Sequence, residues 1–157
     1  MEPRLVSREA FTVVGLKCRT RMQDNVIPQL WDDFNKVCAG IPHTVTDRTA
    51  YGICYFEEGD DPAGASFSYL AGVEVDNADD IPAGMEALVI PAQDYAVFEH
   101  RGALDGLHQT YRKIYSEWLP ANSLERVGTL DFELYDWRFR WGQPDSVLEV
   151  WVPVRQK

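Results

Sequence analysis

The sequence has few of the features that mark membrane, secreted or nucleic-acid-binding proteins. No stretch of its 157 residues approaches the ~20 apolar residues that a membrane-spanning helix needs. Residues 1–4 lack the basic start and apolar run of a signal peptide. Basic residues are in the minority, 15 against 25 acidic ones, and the net charge of −10 repels phosphate backbones. We therefore expect a cytoplasmic protein that binds neither membranes nor nucleic acid.

Cysteine and histidine are too sparse for the usual metal or disulfide sites. The three cysteines, Cys18, Cys38 and Cys54, are widely spaced and include no C-x-x-C pair. The three histidines show no H-E-x-x-H or other metal-binding spacing. No G-x-S-x-G, G-x-G-x-x-G or P-loop motif is present. We predict no metal, no cofactor and no disulfide framework.

The composition is that of an ordinary globular protein. Hydrophobic residues make up 45% of the chain and charged residues 25%. A chain of this length fits one folded domain. We therefore predict a single domain over residues 1–157.

The first half predicts a strand, a helix and a hairpin. Residues 5–20 are rich in β-branched and apolar side chains and predict one long, bent strand. After Asp24-Asn25, apolar residues recur at helical spacing with Pro28 in the first turn, which predicts a helix. Residues 51–56 and 67–75 predict a hairpin. Residues 76–84 have the composition of a linker.

The second half repeats this order. Residues 86–100 predict another long strand, kinked at Pro91. Residues 104–119 place apolar side chains on one helical face, and Pro120 predicts the end of this helix. Residues 132–137 and 147–154 predict the closing pair of strands.

Corresponding segments of the two halves are weakly similar, and their order agrees. The matching segments are 5–13 with 88–97, 27–31 with 107–111, and 69–75 with 148–154, the last pair without a gap. We predict an α+β fold built from a duplicated β-α-β-β unit, with repeats at about 1–76 and 84–157. It should have two antiparallel sheets, two long helices and a ligand groove between the repeats.

Glu149 is the candidate site residue in the last strand. Because side chains alternate along a strand, Glu149 and Trp151 share one face, and Leu148 and Val150 share the other. If the apolar face packs under the helices, Glu149 lies in the groove, where a buried acid needs a cation or a donor. An ordinary solvent-facing strand residue is the common alternative.

Aromatic residues reach 12% of the sequence and cluster in the segments that should flank the groove. Aromatic residues at helical spacing are usually core, but Trp31 and Tyr111 occupy equivalent repeat positions and are favoured as groove residues. The predicted ligand-binding set is Glu149, Trp151, Tyr69, Tyr51, Tyr135, Trp137, Trp31, Phe34 and Tyr111.

Residues 67–75, 88–91, 95–102 and 148–154 resemble the GyrI-like small-molecule-binding family. The resemblance covers nearly the whole chain and implies the tandem β-α-β-β fold. It also implies a groove glutamate on the last strand, here Glu149, that complements lipophilic cations while aromatic rings stack on the ligand. The implied partner is a planar, hydrophobic or cationic aromatic small molecule. Lacking the helix-turn-helix of the family's regulators, the sequence is expected to be a stand-alone sensor or sequestering protein.

Two other functions remain open at this stage. Some family members hydrolyse cyclopropane-containing genotoxins, and here Glu149 and Tyr69 would be the catalytic candidates in the same groove. The acidic surface could instead mimic DNA and bind gyrase or another basic protein. The sequence separates these functions poorly from simple binding.

Overall fold

The computed structural model describes residues 3–21, 26–45, 49–60, 66–128 and 130–157. Within them the chain forms nine strands and two helical regions. The strands are β1 (Arg4–Arg8), β2 (Phe11–Arg21), β3 (Ala50–Tyr55), β4 (Ser66–Val75), β5 (Glu86–Ile90), β6 (Gln93–Arg101), β7 (Leu124–Arg126), β8 (Leu130–Tyr135) and β9 (Val147–Gln156). The α+β class predicted from the sequence is confirmed.

Eight strands form one antiparallel path in the order β1-β6-β9-β8-β3-β4-β2-β5, and β7 adds to β9. Exchanging each first-half strand with its second-half counterpart (β1 with β5, β2 with β6, β3 with β8, β4 with β9) leaves this order unchanged. The topology therefore has the pseudo-twofold symmetry expected of two β-α-β-β units. The two predicted sheets are joined into one because β3 pairs with β8 at the centre.

The predictions of single long strands over residues 5–20 and 86–100 are wrong. The first breaks between β1 and β2, and the second breaks at Pro91, between β5 and β6. In each case the two parts have different partners in the strand order: β1 pairs with β6, whereas β2 pairs with β4 and β5. Glu9-Ala10 and Pro91-Ala92 mark the points where the chain leaves one end of the strand order and joins the other.

The first helical region is α1 (Ile27–Val37), with Pro28 in its first turn as predicted, followed by a 3₁₀ turn, Cys38–Gly40. Asp24-Asn25, after which the helix was predicted to begin, lie outside the described residues. The second region begins with a 3₁₀ turn, Leu104–Gly106, and continues as α2 (Leu107–Lys113). It then passes through a π-helical segment, Ile114–Trp118, into the short α3 (Leu119–Ala121), so Pro120 lies within the last turn.

The remaining predicted elements are close to those observed. The predicted hairpin is the antiparallel pair β3 and β4, whose connection includes residues 61–65, outside the described part of the chain. The segment 76–84 contains neither helix nor strand, as predicted. The short strand β7 was not predicted, because three residues give no readable alternation. None of the described helices is long and apolar enough to cross a membrane.

Both helices pack on the same face of the sheet, which we call the helix face. Under α1 lies a cluster that includes Phe34, Tyr69 and Ala71, and under α2 lies one that includes Leu148 and Val150. The opposite face, which we call the open face, has its own buried cluster without a helix. Its members include Phe11, Tyr51, Tyr95, Phe132 and Trp151.

Arg8 is central to the open face. Its guanidinium carbon lies 3.7 Å from the ring centroid of Phe11, and the Tyr51, Trp151 and Phe132 rings are within 6 Å. The same group donates hydrogen bonds to Glu74 at 2.9 Å and to the Tyr51 hydroxyl at 3.0 Å. A cation enclosed by aromatic rings and held by a carboxylate therefore takes the place of a covering helix.

We predict that Arg8→Met lowers the free energy of unfolding by about 2 kcal/mol. The substitution removes a largely desolvated cation–π contact and leaves the Glu74 carboxylate without its ion-pair partner. Arg4→Met is the matched control on the same strand. Its side chain is 57% exposed and Glu149 keeps a second cation, so its loss should cost less than ~1 kcal/mol. Urea unfolding measures both, and equal losses would contradict the assigned role of Arg8.

Candidate ligand-binding site

A cavity of about 620 Å³ opens on the helix face between α1 and α2. Its size lies within the range of roughly 300–1,000 Å³ that is usual for small-molecule sites. Side chains from both helices form its walls, and β3, β4 and β8 supply much of the rest of its lining. The principal lining residues are Ile27, Trp31, Cys54, Tyr55, Phe67, Tyr69, Leu107, His108, Tyr111, Arg126, Asp131, Glu133, Tyr135 and Trp141.

A buried carboxylate, Glu133, lies in this groove and is held by three phenols. Its Oε1 accepts hydrogen bonds from the hydroxyls of Tyr69 at 3.1 Å and Tyr135 at 2.5 Å, and its Oε2 accepts one from Tyr111 at 2.8 Å. The Tyr69 hydroxyl in turn accepts a hydrogen bond from Trp31 Nε1 at 3.0 Å. Residues from α1, β4, β8 and α2 thus converge on one acid.

Glu133 has no protein cation as a partner within the described residues. Burial raises the pKa of its carboxyl, and the hydrogen bonds from the three tyrosines act in the opposite direction. Burial and the nearby carboxylate raise the pKa values of Tyr69, Tyr111 and Tyr135 well above their usual range. The phenols therefore remain hydrogen-bond donors, and no described residue offers the carboxyl group a cation.

Gly52 of β3 allows this arrangement, because the Tyr69 side chain passes over it to reach Glu133. A Cβ atom at position 52 would come within 1.9 Å of the Tyr69 hydroxyl and 3.1 Å of Glu133 Oε1. Gly52 pairs with Glu133 on one side and with Ala71 of β4 on the other. Any side chain there would fill the space that the hydrogen bond crosses.

A second carboxylate, Asp131, lies two residues away on the same face of β8. Its Oδ2 accepts a hydrogen bond from the Tyr115 hydroxyl at 2.6 Å and lies 3.5 Å from Nη2 of Arg126. Burial raises the pKa of Asp131, and Arg126 opposes that effect. Unlike Glu133, this acid has a cationic partner.

Aromatic rings form much of the groove wall. Trp31 packs edge-on against Tyr135 at 5.0 Å and against Tyr69 at 6.4 Å between ring centroids. Tyr111 and Tyr115 are stacked at 6.4 Å, where α2 passes into its π-helical segment. Such segments are often found at functional sites. The walls offer flat apolar surfaces around a negative charge.

Four of the predicted ligand-binding residues lie together in this groove, namely Tyr69, Tyr135, Trp31 and Tyr111. The pair Trp31 and Tyr111, favoured from the repeat, comes from α1 and α2 on the two sides. Their contribution to binding remains a prediction, but the structure brings them to one cavity.

The prediction that Glu149 faces the groove is wrong. Its strand neighbours Leu148 and Val150 pack beneath α2, so alternation turns Glu149 to the open face, opposite Leu134 of β8. It is 5% exposed, and its Oε2 lies 2.9 Å from Arg138 and 3.1 Å from Arg4. Its predicted proximity to Trp151 is confirmed, since the indole donates to Oε1 at 3.0 Å.

The other predicted residues also lie outside the cavity. Tyr51 and Trp151 belong to the open-face cluster around Arg8. Phe34 is buried under α1 behind Trp31, and Trp137 lies in the β8–β9 loop with 72% of its surface exposed. The proposed catalytic pair is separated as well, because Tyr69 and Glu149 lie on opposite faces of the sheet.

Glu133 and Asp131 were missed by the sequence interpretation. On β8 they alternate with Leu130, Phe132 and Leu134, a pattern that ordinarily indicates a solvent-facing strand. The available signal was the gapless match of 69–75 with 148–154, which aligns Tyr69 with Leu148 and Leu70 with Glu149. Because Leu148 is the equivalent of Tyr69, its neighbour Glu149 points to the opposite face of the sheet. The acid of the groove therefore lies on another strand.

The described residues contain no group of three or more potential ligands that could hold a metal ion. The described lining of the groove offers two buried carboxyl groups, phenol donors, a guanidinium, a thiol and aromatic walls. Burial raises the pKa of the Cys54 thiol well above its usual value, which makes it a poor nucleophile.

Residues 1–155 match the family described as GyrI-like small molecule binding domain. The transcriptional regulator BrlR of Pseudomonas aeruginosa is 36% identical over 155 residues, which cover 98% of this chain and 56% of the regulator. The chain thus spans about half the length of that relative.

Two solved structures share the fold over 99% of this chain. SAV2435 bound to tetraphenylphosphonium superposes with a TM-score of 0.79 at 23% identity, over 94% of its own length. The C-terminal domain of EcmrR superposes with a TM-score of 0.73 at 18% identity, over 98% of its own length. At these identities the likeness concerns the fold.

We predict that Gly52→Ala destabilises the protein by roughly 1–3 kcal/mol, because the added methyl group collides with the Tyr69 hydroxyl. Gly40→Ala is the control, since nothing lies within 4 Å of its Cβ position. In a Tyr69→Phe background the cost of Gly52→Ala should shrink, as part of the collision is gone. Strictly additive losses in urea unfolding would show that the two residues do not compete for that space.

Proposed function

The chain belongs to the GyrI-like small-molecule-binding domain family, and we propose that it binds bulky aromatic cations in the groove between α1 and α2, with Glu133 as the counter-charge. The observation that carries this proposal is a buried carboxylate that has three phenol donors and no cationic partner among the described residues. An isolated charge at such depth is costly unless something compensates it. A ligand cation would supply that compensation.

The groove walls support an aromatic ligand. Trp31, Tyr69, Tyr111 and Tyr135 present rings around Glu133, and ring faces attract cations by their quadrupoles. The cavity of about 620 Å³ is large enough for a drug-sized molecule. The bound tetraphenylphosphonium of SAV2435, a bulky aromatic cation, is of the class that these features suit.

The role that we propose is sensing or sequestering the ligand, without direct contact of this domain with DNA. The net charge of −10 supports it, because such a field repels a phosphate backbone. An electronegative domain also raises the local concentration of cations near its groove.

We predict that Glu133→Gln weakens tetraphenylphosphonium binding by about 10- to 100-fold, because it removes the counter-charge and keeps the side-chain shape. Glu149→Gln is the matched control: it removes a buried acid of the same type from the open face and should change the affinity less than about twofold, since Glu149 does not reach the groove. Isothermal titration calorimetry measures both.

Two outcomes would count against this account. Equal affinities for Glu133→Gln and the unmutated protein would refute the charge-pairing role of Glu133. A larger loss with Glu149→Gln than with Glu133→Gln would restore the site predicted from the sequence.

Binding should also depend on pH. Only the ionised form of Glu133 pairs with a cation, and burial raises the pKa of this carboxyl. The affinity should therefore be highest above that raised pKa and fall as the pH drops through it. Glu133→Gln should remove most of this dependence, leaving only the part due to Asp131. An affinity independent of pH down to the ordinary pKa of glutamate would contradict a buried counter-charge.

A further inference from the structure

The groove contains other charged side chains besides Glu133, both acidic and basic. Among the described residues, five charged side chains line it: Arg21, Asp105, Arg126, Asp131 and Glu133. Arg21 and Asp105 are exposed, opposite in sign and screened by solvent. The other three are more deeply placed and decide the field that a ligand meets.

Arg126 and Asp131 form a loose pair. Arg126 comes from β7 and reaches Asp131 through one contact of 3.5 Å, while its other terminal nitrogen donates to the Gly128 carbonyl at 3.2 Å. The contacts of Asp131 with Arg126 and Tyr115 both fall on Oδ2. No described residue donates a hydrogen bond to Oδ1. The guanidinium thus offsets the charge of Asp131 without enclosing it.

We propose that Arg126 sets the ligand charge at one, because it neutralises Asp131 and leaves Glu133, among the described residues, as the one buried acid of the groove without a cation. This inference rests on the proposed function and adds the valence of the ligand to it. Arg126 is then a specificity-determining residue that acts by repulsion: a second cationic group near Asp131 meets a positive charge already there.

The spacing of Asp131 and Glu133 shows which ligand the groove would bind without Arg126. Asp131 and Glu133 lie two residues apart on one face of β8, so their Cα atoms are roughly 6–7 Å apart. A dication of similar charge separation could contact both acids if Arg126 were absent. The chain would then select dications with the same groove.

Ethidium and propidium provide a matched pair of probes. They share one aromatic cation, and propidium carries an additional quaternary ammonium group on a short chain. Fluorescence titration at one fixed pH gives the ratio of the propidium affinity to the ethidium affinity for each variant. Using this ratio cancels effects that a substitution has on both dyes.

We expect the unmutated protein to bind ethidium at least as tightly as propidium. Arg126→Gln should raise the propidium-to-ethidium ratio about tenfold, because Asp131 becomes available to the second charge. Arg126→Lys keeps the positive charge and should keep the original ratio. The double variant Arg126→Gln with Asp131→Asn should return to the original ratio, since the groove again has one uncompensated acid. Circular dichroism checks that each variant is folded.

The outcomes separate this inference from the proposed function. If ethidium binding depends on Glu133 but the ratio is the same for Arg126→Gln and the unmutated protein, Arg126 does not set the valence and the proposed function stands. The inference also fails if the ratio rises but stays high in the double variant, because Asp131 is then not the second acid. If neither dye binds the unmutated protein or Arg126→Gln, both proposals fail.

Discussion

The buried charge of Glu133 is the constraint on which the rest of the groove depends. A carboxylate removed from water needs donors, and here three phenols from β4, α2 and β8 itself meet it. Tyr69 reaches it only because Gly52 has no side chain, and Trp31 holds the Tyr69 hydroxyl from α1. Hydrogen bonds therefore link the acid to α2 through Tyr111 and to α1 through Tyr69 and Trp31. What the phenols do not supply is a positive charge.

Glu133 differs from the paired acids of the open face, and from Asp131 beside it, in having no cation among the described residues. On the open face, Arg8 lies among aromatic rings with Glu74, and Glu149 is paired with Arg4 and Arg138. Each of these acids has a cation from the chain. On the helix face Glu133 has none within the described residues. The open face thus combines a carboxylate, aromatic rings and a cation. Around Glu133 the carboxylate and the rings are present, but no described residue supplies the cation. This contrast supports a ligand in the groove.

The sequence predicted the elements and the repeat well, and predicted the acid poorly. Apolar periodicity found both helical regions, because their faces are long enough to read. It merged β1 with β2 and β5 with β6, since two residues suffice to carry the chain to another edge of the sheet. Tyr69, Tyr111, Tyr135 and Trp31 were found from composition. Choosing between Glu133 and Glu149 required knowing which side of the sheet the helices cover, and that depends on tertiary packing.

The central claim is that a ligand cation pairs with the buried acid Glu133. The protonation of this carboxyl group can be followed directly. Carboxyl ¹³C NMR of Glu133, assigned with Glu133→Gln, gives its pKa in the free protein and in the complex with tetraphenylphosphonium. The account predicts a pKa above the ordinary glutamate value in the free protein and a clear decrease when the ligand binds. A pKa that the ligand leaves unchanged would contradict it.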